Sequence, residues 1–221
     1  MTEQLMGDCP DLRQVIYLGE LQDLPDNFET FNQVLGSGKN QRIDPVQADP
    51  DETKILLYTS GTTGNPKGVL YSNRAIVLSA LSACLPNILN ISSQETVLPV
   101  VPMFHINAWC LPYACLMSGA KLVLPGPKLD GASLYELMES EKVTLSAGVP
   151  TIWMGLIQHL EQNNLRFTTM RRTGVGGSAM PKALIAKFSD VYQVDVRHGW
   201  GMTETTAVAT ISNMNSQEQA W

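Results

Sequence analysis

The chain has 221 residues, of which 44% are hydrophobic and 16% charged, so it can bury a core and its composition excludes a disordered protein. Its formal net charge is -6 and it has no basic stripe, which argues against a nucleic-acid partner. It contains no apolar run of the ~18 residues that a membrane span needs, and its acidic N-terminus lacks the pattern of a signal peptide.

The four cysteines and three histidines point to neither disulfides nor a structural metal site. No Cys-x-x-Cys pair is present, and Cys84, Cys110 and Cys115 lie in apolar segments. This is typical of reduced thiols in the core of an intracellular, cytoplasmic protein. The histidines do not group with cysteines or carboxylates at the spacing of zinc ligands.

Residues 1–53 are predicted to form a partial strand and helix region that ends in a polar connector. Residues 11–19 predict a short buried strand, and residues 28–38 predict a short helix that ends at Gly36. The sequence Asp-Pro-Asp at 49–51 indicates a turn before the next strand. Residues 54–221 are therefore predicted to form the core of the protein.

From residue 54 onwards, apolar strands alternate with helices. The predicted strands are 54–59, 95–102, 120–126, 143–150, 171–178 and 194–201. The stretch 69–81 after the loop is typical of a helix, and the helix itself is predicted over 73–85 with Asn73 as a candidate N-cap. Further helices are predicted over 107–119, 131–142, 150–163 and 181–192. Nearly continuous apolar strands that alternate with helices predict an α/β fold, with a mostly parallel sheet and helices on both faces.

Four unusual turns follow predicted strands, at residues 59–64, 102–105, 174–178 and 198–201. Three of them are rich in glycine, and the turn at 102–105 has the sequence Pro-Met-Phe-His. Ligands of parallel sheets bind beyond the carboxyl ends of the strands. We therefore expect all four turns to gather at one edge of one sheet.

The stretch 58–68, Tyr-Thr-Ser-Gly-Thr-Thr-Gly-Asn-Pro-Lys-Gly, predicts a loop that binds a di- or triphosphate. Its glycines let backbone amides approach an anion, its hydroxyls add hydrogen-bond donors, and Lys67 supplies a mobile positive charge. Because the order is Lys67-Gly68, the loop does not have the spacing of a Walker loop. Ordering such a loop costs a free energy of conformational entropy that is similar to the free energy gained from its hydrogen bonds with a phosphate. The loop is therefore predicted to be mobile when empty and to become ordered when nucleotide binds.

The stretch 58–68 resembles the phosphate-loop motif of the acyl-adenylate-forming enzymes, which include acyl-CoA synthetases, luciferases and peptide-synthetase adenylation domains. Three further stretches resemble motifs of the same family in the family's order, at 101–109, 174–181 and 198–205. The resemblance covers about residues 50 to 210. It implies that the chain forms part of the large N-terminal domain of such an enzyme.

The resemblance also implies roles for individual residues. The β- and γ-phosphates of ATP would be held by Thr59, Ser60, Gly61, Thr62, Thr63, Gly64 and Lys67. The remaining contacts with the nucleotide would come from Gly177, Ser178, His198, Gly199, Trp200, Gly201, Met202 and Thr203, with Trp200 against adenine and Thr203 on the α-phosphate. Mg²⁺ would be held by Glu204 and Thr59, and the acyl group would be bordered by His105, Trp109, Gly176 and Gly177. The catalytic residues implied are Lys67, His105, Thr203 and Glu204.

The implied reaction activates a carboxylic acid with ATP to an acyl-adenylate and then transfers the acyl group to the thiol of coenzyme A. The stretches 105–109 and 198–204 most resemble the medium- and long-chain fatty acyl-CoA synthetase branch. The bulky or apolar Trp109, Cys110, Tyr113 and Met117 favour a medium or long acyl chain over acetate. The implied partners are ATP, fatty acid and coenzyme A, with peripheral membrane contact through fatty acid supply.

Other interpretations stay open. Family members carry a ribose-binding aspartate, a hinge and a small C-terminal domain with a lysine, none of which is recognised here. The chain is thus expected to be a central fragment that is inactive by itself. In one alternative, the chain acts only as a nucleotide-binding module or is an inert fragment. In another, it belongs to an adenylating relative that passes the acyl group to a carrier protein. Residues 174–179 also match a dinucleotide fingerprint, but a nicotinamide enzyme leaves the phosphate loop unexplained.

Overall fold

A computed structural model of the chain describes residues 9, 11–12, 14–18, 28–39, 42, 44–60 and 64–212. Contacts between Cα atoms divide the chain into two compact units, Met1–Gln47 and Ala48–Trp221.

The first unit contains a small parallel sheet and one helix. Strand β1, Val15–Tyr17, pairs with β2, Phe28–Thr30, and helix α1 spans Phe31–Gly38. The helix begins at a capping box, in which the Thr30 hydroxyl accepts the Gln33 amide and the Gln33 side chain accepts the Thr30 amide. The strand predicted within 11–19 is present but not buried, since Ile16 is 46% exposed, and α1 continues two residues beyond the predicted end at Gly36.

The second unit begins with an antiparallel hairpin of β3, Thr53–Thr59, and β4, Lys67–Ser72. The prediction of a helix over 69–81 is wrong at its start, because Val69 and Tyr71 alternate toward a shared apolar cluster, as strand residues do. Helix α2 spans Asn73–Cys84, and the N-cap is Ser72 rather than Asn73, since the Ser72 hydroxyl accepts the amide of Ala75.

Among the described residues, the main sheet has six strands in the order β10-β9-β8-β7-β5-β6. Their bounds are Thr96–Pro99 (β5), Lys121–Leu122 (β6), Leu145–Gly148 (β7), Arg172–Val175 (β8), Asp195–Trp200 (β9) and Thr210–Ser212 (β10). Strands β5 to β9 are parallel, and β10 runs antiparallel to β9 at one edge. The prediction of a mostly parallel sheet is confirmed, although β10 was not predicted.

Helices cover both faces of this sheet, as predicted. Their bounds are Leu111–Ser118 (α3), Gly131–Ser140 (α4), Pro150–Gln162 (α5) and Lys182–Ala186 (α6), the last continuing into a π-helical turn at Lys187–Val191. Successive strand residues face opposite ways, so Val97 of β5 packs with α2 and α3, while Leu98 packs with α4 and α5. The apolar strands are therefore buried on both sides.

The helix predicted over 107–119 begins later than expected. Residues 106–110 form a left-handed turn, and α3 starts at Leu111 and ends at Ser118, with Gly119 as its C-cap residue at a φ of +74°. Gly119 therefore closes the helix as predicted.

Candidate functional site

A small cavity of about 40 Å³ lies at the carboxyl edge of the main sheet. It is lined mainly by residues at the ends of β8 and β9 and in the segments that follow β5, β8 and β9. Strands β8 and β9 are adjacent in the sheet, and β5 is separated from β8 by β7. Eight of the residues proposed from the sequence line it: His105, Trp109, Gly176, Gly177, Gly199, Trp200, Gly201 and Met202. Three of the four predicted turns thus meet where the carboxyl ends of parallel strands converge.

The glycine turn after β8 allows close packing against Trp109. A Cβ atom on Gly176 would lie 3.1 Å from the Cη2 atom of Trp109 and 3.4 Å from the carbonyl oxygen of Gly199. Gly177 follows with a φ of +82°, a conformation that glycine adopts without steric cost. The turn therefore needs glycine at 176 for space and favours it at 177 for backbone conformation.

The segment that carries Trp109 has a backbone that local preference disfavours. All five residues from Ile106 to Cys110 have φ values between 44° and 58°, although none is glycine. Each left-handed residue costs about 1–2 kcal/mol. The surrounding packing holds this turn in place, since Ile106, Ala108 and Cys110 are buried. The turn presents His105 and Trp109 to the cavity.

A second cavity of about 40 Å³ shares Trp109, Val175, Gly199 and Val208 with the first. Its walls are mostly apolar and include helix α2 and Ile211 of β10. The sequence pattern alone does not point to the α2 wall or to Ile211. Neither belongs to a motif, and both reach the cavity through tertiary packing.

Residues 203–206 form a turn that accepts one hydrogen bond from a side chain of β4 and one from a side chain of α2. Thr203–Thr205 is a single 3₁₀ turn, and the phenol of Tyr71 donates a hydrogen bond to the carbonyl oxygen of Thr203. The hydroxyl of Ser79 donates to the carbonyl oxygen of Thr206 over 3.0 Å. Burial, with smaller contributions from Cys110 and Glu204, raises the pKa of Tyr71 to about 12, so its phenol stays protonated at neutral pH.

Four other proposed residues lie near the cavity without lining it: Ser178, His198, Thr203 and Glu204. The Nε2 atom of His198 is 3.3 Å from the amide nitrogen of Met180 and 3.2 Å from the carbonyl oxygen of Ser178. The ring therefore ties β9 to the turn after β8, and a contact of His198 with nucleotide stays a prediction.

The predicted phosphate loop belongs to the β3–β4 hairpin and not to the main sheet, which corrects the expectation of four turns on one sheet. Thr59 and Lys67 are paired across the hairpin, and the Lys67 side chain is exposed. Ser60 and Gly64 are also exposed, whereas the predicted residues Gly61, Thr62 and Thr63 lie outside the described residues. The hairpin contacts the cavity region through Tyr71, on the same strand as Lys67.

A sequence model described as "AMP-binding enzyme" matches residues 4–220. The chain belongs to the AMP-binding enzyme family.

Two curated relatives illustrate this membership. The chain is 50% identical over 180 residues to a medium-chain-fatty-acid–CoA ligase of Ectopseudomonas oleovorans, and the aligned region covers 81% of this chain and 33% of the relative. It is 46% identical over 208 residues to a long-chain-fatty-acid–CoA ligase of Thermus thermophilus, which covers 94% of this chain and 37% of the relative. The chain thus spans about a third of the length of these relatives.

Two solved structures agree with the fold. A long-chain-fatty-acid-CoA ligase of Archaeoglobus fulgidus superimposes with a TM-score of 0.78 at 23% identity, covering 95% of this chain and 42% of that chain. An anthranilate CoA ligase in complex with anthranoyl-AMP gives a TM-score of 0.80 at 20% identity, covering 96% and 40%. These likenesses support the α/β architecture.

Among its described residues, the chain has no group of three or more histidine, cysteine, aspartate or glutamate side chains that could hold a metal ion. Mg²⁺ in nucleotide sites commonly uses one or two carboxylates, waters and the substrate phosphates. The exposed Glu204 carboxylate fits that kind of site. In the described part of the chain, no helix has the length and apolar character to cross a membrane.

Proposed function

We propose that an intact protein carrying this sequence uses ATP to activate a carboxylic acid and then transfers the acyl group to coenzyme A. The observation that carries this proposal is the cavity at the carboxyl edge of the sheet. His105, Gly176 and Gly201 lie far apart in the chain but line this one cavity. Family membership and the names of the two curated relatives support the same chemistry.

The nucleotide would bind along the turn that follows β9. Trp200 lines the cavity with 59% of its surface exposed, so an aromatic face is available for adenine. Thr203, two residues beyond the cavity-lining Gly201, would contact the α-phosphate. Gly177 and Ser178 would border the adenylate from the neighbouring strand end.

The triphosphate carries most of the charge that the site must neutralise. Lys67, at the end of the hairpin loop, would contact the β- and γ-phosphates together with hydroxyls and amides of residues 59–64. Glu204, with Thr59, would hold Mg²⁺, and the ion would stabilise the negative charge on the phosphates and on the leaving pyrophosphate. The protein's own task is then to position two anionic reactants.

In the first step, a carboxylate oxygen bonds to the α-phosphorus and the bond to pyrophosphate breaks. In the second, the thiol sulfur of coenzyme A attacks the acyl carbonyl carbon and AMP leaves. His105 is exposed at the cavity rim, where it can orient the carboxylate and face the incoming thiol. Lys67 and Thr203 would stabilise charge on the phosphate oxygens during the first step.

The proposed acid is a medium- or long-chain fatty acid. Trp109 lines both cavities, and the second cavity is walled mainly by apolar side chains such as Leu89 and Ile211. Hydrocarbon gains free energy when it leaves water for such walls. Supply of such a substrate would bring the protein to membrane surfaces, and the unpaired, buried Cys110 and Cys115 support a cytoplasmic location.

Exchange of radiolabelled pyrophosphate into ATP tests the proposal. We expect exchange by the intact protein that depends on a fatty acid and on Mg²⁺, followed by thioester formation with coenzyme A. Exchange without any thioester, but with acylation of a carrier protein, would instead favour a carrier-dependent relative.

The 221-residue chain spans about a third of the length of the curated relatives, so the exchange experiment uses an intact protein that carries this sequence. Absence of acid-dependent exchange by the intact protein, together with retained ATP binding, would contradict the ligase and favour a nucleotide-binding module.

A further inference from the structure

We propose that Tyr71 and Ser79 are positioning residues, which hold the turn of residues 203–206 by its carbonyl oxygens and fix Thr203 and Glu204 relative to the phosphate-loop hairpin. This inference rests on the proposed function for its catalytic consequence. The two hydrogen bonds themselves are independent of that function. They are called the carbonyl clamp below.

The clamp consists of two donors from one continuous segment. Tyr71 is on β4 and Ser79 is on α2, which follows β4 directly. The Tyr71 phenol donates to the Thr203 carbonyl, and the Ser79 hydroxyl lies 3.0 Å from the carbonyl oxygen of Thr206. Tyr71 is only 2% exposed, so water does not compete for its hydrogen bond.

The clamped turn is partly supported from within, because the Thr205 hydroxyl accepts the Met202 amide and donates to the Met202 carbonyl, both over 3.0 Å. The Thr205 amide donates to the carbonyl of Met202 over 3.0 Å, and the Thr206 amide donates to Thr203 over a longer 3.3 Å. Thr206 and Ala207 then adopt φ values of 53° and 79°, which side-chain-bearing residues disfavour. Such a conformation persists when surrounding contacts determine it. The clamp supplies two of these contacts, one at each end of the turn.

The position of the clamp gives it a role in the proposed reaction. Lys67 and Tyr71 belong to the same strand, and Thr203 is bonded to that strand through Tyr71. The groups proposed for the β- and γ-phosphates and those proposed for the α-phosphate and Mg²⁺ are therefore linked through Tyr71, and Ser79 adds a second link to the same turn. Loss of the Tyr71 bond weakens this linkage, and small displacements of catalytic groups have large kinetic effects.

A packing role for Tyr71 can be separated from the clamp. The ring belongs to an apolar cluster with Ile76, Ile106, Cys110 and Ala207. Tyr71→Phe keeps the ring and removes only the hydroxyl. Tyr135→Phe is a matched control, because the Tyr135 hydroxyl also donates to a backbone carbonyl, that of Arg166 over 3.1 Å, on helix α4 away from the cavity.

The first experiment measures hydrogen–deuterium exchange in the intact protein without substrates. We expect Tyr71→Phe to speed exchange of the amides of residues 205 and 206 by about five- to tenfold, the change expected for one lost hydrogen bond. Ser79→Ala should act in the same direction and serves as the test if Tyr71→Phe does not fold. Exchange at 205 and 206 that matches the Tyr135→Phe control would refute the clamp.

The second experiment measures steady-state kinetics of acid-dependent pyrophosphate exchange. Tyr71→Phe should raise the KM for ATP and the Mg²⁺ concentration at half-maximal rate by about tenfold, with the KM for the acid unchanged. If Tyr71 had only a structural role, its loss would change the KM for ATP, the half-maximal Mg²⁺ concentration and the KM for the acid to the same extent, or would change none of them. If the wild type is active and Tyr71→Phe behaves as Tyr135→Phe does, the positioning role is wrong. If the wild type shows no exchange with any acid, the proposed function fails while the amide-exchange result still decides the clamp.

Discussion

Replacing Gly201 with alanine is the most direct perturbation of the proposed nucleotide turn. A Cβ atom at this position would lie 1.6 Å from the carbonyl oxygen of Ala207 and 2.6 Å from its carbonyl carbon. Both atoms belong to the backbone and cannot rotate aside as a side chain does. The two segments must therefore separate by about 1.4 Å before the nearest contact reaches 3.0 Å.

This separation displaces the residues that carry the proposed chemistry. Met202, Thr203 and Glu204 lie between Gly201 and Ala207, so the whole turn must shift. A misplacement of about 1 Å can reduce a rate by about 100-fold. We expect Gly201→Ala to reduce acid-dependent pyrophosphate exchange by at least about 100-fold and to cost about 1–3 kcal/mol of unfolding free energy, as overpacking does.

The assay compares initial exchange rates and urea unfolding for Gly201→Ala and two other alanine variants. Gly199→Ala tests strand β9 without the clash, since the nearest atom to its Cβ would be the Thr210 carbonyl oxygen at 3.5 Å. Gly155→Ala, on helix α5 with no atom within 4 Å, should match or slightly exceed the wild type in stability. A Gly201→Ala protein with wild-type exchange and stability would refute the steric reasoning.

Three further predictions concern the phosphate loop, the acyl cavity and the framework of the sheet. Lys67→Ala should weaken ATP binding by about tenfold or more in calorimetry, with little change in melting temperature because the side chain is exposed. Trp109→Ala should join the two cavities it lines and shift the preferred acyl-chain length, as measured across a panel of saturated acids. Glu95→Gln should lower the unfolding free energy by about 3 kcal/mol in urea, since Arg172 lies 3.0 Å from the 6%-exposed Glu95 and would lose its carboxylate partner.

Each of these predictions has its own control. Lys182→Ala removes another exposed lysine, on α6, and unchanged ATP affinity in both lysine variants would contradict the phosphate role of Lys67. An unaltered chain-length profile in Trp109→Ala would remove Trp109 from the acyl site. Glu141→Gln breaks an ion pair with Lys121 in which both side chains are 40% exposed or more, so it should cost below about 1 kcal/mol. Equal destabilisation by the two glutamine variants would show that burial does not strengthen the Glu95 pair.

The arrangement of the main sheet was predictable because its strands have a simple pattern. Strands β5, β7 and β8 are short, almost fully buried and separated by helices, a pattern that the parallel order β8-β7-β5 explains. The turns after β5, β8 and β9 then meet at one edge whatever their separation in sequence. Eight candidate residues line one cavity for that reason, and their roles stay predictions.

Local preference failed where tertiary contacts opposed it. The segment 69–72 was interpreted as the start of a helix. As alternate residues of β4, however, Val69 and Tyr71 both pack on one apolar cluster, and this burial stabilises the strand. Residues 106–110 were expected to begin a right-handed helix, yet burial of alternate side chains holds them in left-handed conformations. A short strand such as β10 forms only because β9 offers it an edge.

By itself, the sequence carried the motifs of the AMP-binding enzyme family and predicted most of the strands and helices in their order along the chain. Glycines, hydroxyls and a lysine in one loop, and apolar runs at strand spacing, are local properties of the chain. Only the tertiary structure decided that the predicted phosphate loop belongs to a separate hairpin, that Trp109 lies at two cavities, and that Tyr71 bonds to a carbonyl 132 residues away. Contacts of that range depend on how whole elements pack together, and no local pattern of residues encodes them.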